Sequence, residues 1–143
     1  MKKLLLSICL CLTCCLIFTT KTNAEEFYYE EVIEEISSFE ITRATSTKTA
    51  KKTANIKNSS GDVLWSVTVT GTFSYNGSTS TCTSATSSAT AYNSYWKIYS
   101  HSSSKSGNTA SATATAKNYF DGTVISTLKK TVTLTCSPTG TLS

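Results

Sequence analysis

Residues 63–82 constrain the fold more tightly than any other stretch of this chain. They read Val-Leu-Trp-Ser-Val-Thr-Val-Thr-Gly-Thr-Phe-Ser-Tyr-Asn-Gly-Ser-Thr-Ser-Thr-Cys. Val63, Trp65, Val67, Val69, Phe73 and Tyr75 fall on every second position, with Ser66, Thr68, Thr70, Thr72 and Ser74 between them. That period belongs to a strand with one buried and one wet face. Asn76-Gly77 supplies the positive φ angles of a tight hairpin turn. A two-residue loop there would set Tyr75 opposite Ser78, Phe73 opposite Ser80 and Gly71 opposite Cys82, turning Cys82 into the core.

The alanines that follow (Ala85, Ala89, Ala91) are odd-numbered while Cys82 is even. A bulge between them reconciles both with one buried face. A three-residue loop would bury the alanines and turn Cys82 outward. The bulge is preferred, because a disulfide needs Cys82 inside.

Further along, Tyr95 to His101 reads as a strand with Trp96 and Ile98 on one face, and residues 102–108 read as a polar loop. Ala110, Ala112, Ala114 and Ala116 share even numbering with Val124, Leu128, Val132, Leu134 and Cys136. A three-residue loop, Phe120-Asp121-Gly122, with Gly122 left-handed, would put both sets on one face. A polar first strand over residues 47–57 and a turn over 58–62 precede the central hairpin. The expectation is an all-β, immunoglobulin-like antiparallel β-sandwich of about six to seven strands with one disulfide.

The N-terminus reads as an export signal. Met1-Lys2-Lys3 precedes an apolar run over residues 4–18, and Thr22-Asn23-Ala24 suits cleavage after Ala24. The run is shorter than the roughly 20 apolar residues of a membrane anchor. Leu12-Thr13-Cys14-Cys15 lacks the small residue expected before a lipidated cysteine. Residues 1–24 are therefore read as a signal peptide, and the mature protein as secreted and extracellular, with no transmembrane segment.

Cleavage leaves Cys82 and Cys136 as the cysteines of an exported chain, and a disulfide between them is expected. Closing so long a loop is worth about 4 kcal/mol in the chain-entropy picture.

Charge divides the mature chain. Residues 25–42 hold seven glutamates and no basic residue, whereas residues 43–143 hold ten Lys or Arg against Asp62 and Asp121, a balance of +8. Tyr28, Val32, Ile36 and Phe39 have the spacing of a short helix, but the dense glutamates favour a frayed acidic arm. Domain boundaries follow: signal 1–24, acidic arm 25–42, sandwich 43–143. Arg43, at the junction, is a candidate processing site with Ala24.

Cys82, Trp96 and Cys136 stand in the order Cys…Trp…Cys, which resembles immunoglobulin domains. The resemblance covers order and rough spacing; Leu134 stands where those domains often carry Tyr, so a non-standard strand order is implied. The layout of residues 56–143 also resembles a group of small, uncharacterised secreted β-sandwich proteins of Gram-positive bacteria, which implies no particular activity.

Catalytic chemistry is not expected. Asp62 and Asp121 lie beside glycines in turns, His101 is the one histidine, and no nucleophile motif, metal constellation or phosphate loop is present. No cofactor is expected. Tyr92, Tyr95, Lys97 and Tyr99 form the candidate binding surface. The first expectation is a non-enzymatic binding module at a cell surface, its partner an anionic envelope polymer, a carbohydrate or a protein. The alternative is a cationic antibacterial or effector protein masked by its acidic arm. Nucleic acid is the weakest of the partners considered.

Overall fold

A computed structural model describes residues 26–42 and 44–143. Residues 1–24, expected as a signal peptide ending at Ala24, and the expected processing site Arg43 lie outside the described residues. Seven antiparallel strands form: β1 (Tyr28–Thr42), β2 (Thr45–Lys57), β3 (Val63–Tyr75), β4 (Ser80–Ala91), β5 (Trp96–Ser106), β6 (Thr109–Phe120) and β7 (Thr123–Thr135). They make two sheets, β1-β2-β3-β4 and β5-β6-β7. Every hydrogen-bonded neighbour is also a neighbour in sequence, so each sheet is a meander, and the connection from β4 to β5 passes between the sheets. β4 lies over β5 and β6, β3 over β6 and β7, and β2 over β7.

The core has the composition that alternation demands. From the first sheet come Ala50, Ala54, Ile56, Trp65, Val67, Val69, Phe73 and Cys82; from the second come Trp96, the four alanines of β6, Val132 and Leu134, with Cys136 just beyond β7. A Cβ on Gly71 would lie 2.7 Å from the Phe73 ring and 3.0 Å from Ala110 Cβ, so the Phe73 ring fills the space over Gly71.

The hairpins depart from the expected geometry in an instructive way. The loop after β3 has four residues, and Tyr75 pairs with Ser80 rather than Ser78. Asn76 Oδ1 accepts hydrogen bonds from Ser78 N, Thr79 N and Thr79 Oγ1, which favours the wider turn. Phe73 therefore pairs with Cys82 and Gly71 with Ala85, and Thr83 is the bulged residue between the two registers. Cys82 and Ala85 thus share the inner face, as the bulge reading required.

At the β6–β7 turn the loop has two residues, Asp121 and Gly122, with φ of 48° and 76°. Phe120 pairs with Thr123. The odd register is corrected by a bulge at Ile125, after which Asn118 pairs with Ser126 and Ala116 with Leu128. The expected three-residue loop is wrong, but the alanines and leucines meet as anticipated. Val124, expected inside, lies before the bulge and is exposed.

Two further corrections concern extent. Residues 102–106, expected as loop, continue β5 and pair with β6. The acidic segment, expected as a frayed arm or short helix, is the edge strand β1, paired with β2 along its length.

Cys82 and Cys136 are both buried and both free, so the expected disulfide is not formed in this structure. Their thiols donate instead to local carbonyls, Cys82 Sγ to Ser84 O and Cys136 Sγ to Ser137 O.

Candidate functional site

Three connections gather at one end of the sandwich: the 58–62 turn, the 92–95 link and the β6–β7 turn. The first two are built by asparagine side chains. Asn58 Oδ1 accepts from Ser60 N and Asp62 N. Asn93 Oδ1 accepts from Tyr95 N at 2.9 Å. Leu64 O accepts from both Tyr92 N and Asn93 N, and Tyr95 O accepts from Tyr119 N, which ties the link to both sheets.

Between these connections lies a cavity of about 290 Å³. Leu64, Phe120 and Ile125 give it apolar walls, and Tyr95, Trp96 and Tyr119 give aromatic ones. Asn58, Asn93 and Asn118 supply amides. Alternation along β6 turns Asn118 inward and Tyr119 outward, while the β7 bulge leaves Ile125 unpaired opposite them.

Asn118 is the anomaly. It continues the inward-facing series of β6 alanines, it is only 8% exposed, and its Oδ1 has no hydrogen-bond partner. An unpaired buried acceptor costs about 1–3 kcal/mol. A stabilised fold would place another alanine or a valine there. A polar side chain kept in such a place, lining a cavity, marks the best candidate ligand site of the described residues.

The four residues singled out in the sequence do not form one cluster. Tyr95 lines the cavity and is exposed. Tyr99 is the bulged residue of β5, exposed, with Lys117 Nζ 3.5 Å from its ring centroid. Lys97 lies over Tyr119 at 5.1 Å rather than between Tyr95 and Tyr99. Tyr95, Lys97 and Tyr99 thus remain on the second sheet, joined by Lys117 and Tyr119. Tyr92 is held elsewhere, its hydroxyl 3.3 Å from Ser66 Oγ on the outer face of the first sheet.

His101 lies on exposed β5 with Nδ1 2.9 Å from Ser87 Oγ. No carboxylate orients the ring among the described residues. No group of three His, Cys, Asp or Glu side chains among them is placed to hold a metal ion, and none of their helices is long and apolar enough to cross a membrane.

Cys82 and Cys136 meet around the β5–β6 turn: Cys82 N donates to Gly107 O at 2.7 Å and Cys136 N to Asn108 O at 3.1 Å. Burial pushes the Cys82 thiol above its ordinary range, with Lys105 opposing and Cys136 adding to the rise. Such a thiol is a poor nucleophile and behaves as a core side chain.

Searches against protein-family models, curated proteins and solved structures found no match.

Proposed function

We propose that the chain is an exported, non-enzymatic binding module built on a meander β-sandwich, and that its cavity holds a carbohydrate unit of a cell-envelope polymer. The observation that carries this reading is Asn118, a buried amide with an unpaired acceptor lining a cavity of aromatic and apolar side chains. Sugars suit this combination, since their C–H faces lie against aromatic rings while a hydroxyl or acetamido N–H donates to an amide oxygen such as Asn118 Oδ1. The exposed Tyr95 ring and the apolar Ile125 suit an acetamido methyl group and a pyranose face. In an oxidising compartment, Cys82 and Cys136 would pass two electrons to a thiol–disulfide oxidase and pair, tying β4 to the end of β7.

Trp96 lines the cavity and reports on it. The experiment is a titration with the trimer of N-acetylglucosamine, followed by tryptophan emission. A saturable change, weakened at least tenfold by Asn118→Ala with the far-ultraviolet spectrum unaltered, is expected. An unchanged affinity in that variant would overturn the assignment of the site.

A further inference from the structure

The core face of β2 carries two lysines. Ala50, Ala54 and Ile56 on that face are fully buried, and Lys48 and Lys52 share their parity. On β7, Lys130 likewise stands between Leu128 and Val132 in the inward series and pairs with Ala114. The side chains of Lys48, Lys52 and Lys130 are 15%, 17% and 21% exposed. Three cations from two sheets therefore point into the open side of the sandwich, where charge is costly unless paired.

Every carboxylate that pairs with them comes from β1. Glu31 spans the sheets, Oε2 lying 3.2 Å from Lys52 Nζ and Oε1 3.2 Å from Lys130 Nζ. Glu35 Oε2 lies 3.1 Å from Lys48 Nζ, which also donates to Gly140 O. The outer face of β1 makes separate pairs, Glu30 with Lys57 and Glu34 with Lys51. Yet β1 buries little: Tyr28, Tyr29, Val32, Ile33 and Ile36 are 39–53% exposed. Beyond the Phe27 contact with Trp96 at its start and the Tyr29 ring under Lys130, this edge strand is held by one ladder and half-exposed glutamates, so it opens at lower cost than the core strands.

We propose that Lys48, Lys52 and Lys130 are a latent anion site, occupied in cis by Glu31 and Glu35, that takes a linear phosphate polymer when β1 lifts away. When β1 leaves, Lys52 and Lys130, which share Glu31, and Lys48, about 13 Å further along β2, form a row of cations with no counter-charge. A chain of closely spaced phosphates restores it, with each phosphate replacing one carboxylate. The site shares no residue with the Asn118 cavity, so its test and that of the cavity stand apart.

The test uses the full chain and linear inorganic polyphosphate. Glu31→Gln/Glu35→Gln removes the inner carboxylates. Glu30→Gln/Glu34→Gln makes the same charge change on the outer face. The inner variant is expected to bind at least tenfold tighter than the outer one at low salt. Adding Lys52→Gln/Lys130→Gln should abolish the gain, and raising salt should shrink it. Equal affinities for the two charge-matched variants would overturn the proposal. So would self-association of the inner variant without polyphosphate binding, which would assign the site to the acidic strand of a second copy. Should the variants fail to fold, hydrogen exchange on the unaltered protein decides: polyphosphate should speed exchange in β1 while leaving β3 protected, and unchanged β1 exchange at saturation would contradict it.

Discussion

Phe27 stands edge-on to Trp96, ring centroids 5.8 Å apart at 89°, and so pins the start of the acidic strand to the opposite sheet. Trp96 in turn lies 6.5 Å from Trp65, giving a row of three aromatic side chains that crosses the core. Phe27 is half-buried, so Phe27→Ala should cost about 1–2 kcal/mol. Urea unfolding measures the loss. Hydrogen exchange should show it concentrated in β1, and a uniform rise across all strands would argue that Phe27 is no special anchor.

Trp65 is fully buried, while its Nε1 has no hydrogen-bond partner. Trp65→Ala should destabilise by about 3–5 kcal/mol. Trp65→Phe should cost clearly less, because it also removes the unpaired donor. Equal losses in thermal and urea unfolding would mean that the indole N–H is worth more than its surroundings suggest.

Gly71→Ala tests how tightly the sheets meet. The added methyl would come within 2.7 Å of the Phe73 ring and 3.0 Å of Ala110 Cβ, both in the core. Overpacking of this kind costs about 1–3 kcal/mol. A neutral substitution would show that the Phe73 ring swings aside freely.

Much of this architecture was legible in the sequence, and the misses at the two hairpins share one cause. Alternation identified the inner faces of β3, β6 and β7, because a period of two survives any even change in loop length. Loop lengths themselves did not follow from dipeptides. The Asn76 side chain recruits two further residues into its turn, and Asp121 accepts a positive φ that sequence reading reserved for Gly122. Bulges then restored the register in both hairpins.

The acidic strand was hidden for a different reason. Its paired glutamates give no alternation of polarity, and its strand character depends on the lysines of β2 and β7, far along the chain. Asn118 was visible in principle as the polar member after four inward alanines. Its meaning needed the cavity and the missing partner.

Acid should loosen β1 first. A hydrogen bond from Lys57 holds Glu30 below the usual carboxylate range, and one from Lys130 does the same for Glu31 against an opposing effect of burial. A carboxylate whose folded value is depressed adds stability above its unfolded value, about 4.3, and loses it as pH falls through the folded value. Exchange of β1 amides, corrected for intrinsic rate, should therefore quicken below about pH 4.3 before the core strands respond. Simultaneous loss in all strands would deny β1 its independence.

The proposed export carries its own test at the two thiols, which are free in this structure and would pair in an oxidising compartment. Non-reduced peptide mapping of protein collected from the medium should find Cys82 linked to Cys136, and reduction should lower stability by about 4 kcal/mol or less if the bond is strained. Two alkylatable thiols in that material would remove the disulfide from the account.

The central claim, that the Asn118 cavity is the binding site, is tested most directly by mapping amide and side-chain shifts in a nitrogen-15 labelled sample during titration with the N-acetylglucosamine trimer. The account predicts saturable shifts at the Asn93 and Asn118 side-chain amides and at the backbone of Tyr95, Tyr119 and Ile125, with β1 unmoved. Shifts confined to other surfaces, or none at millimolar sugar, would contradict it.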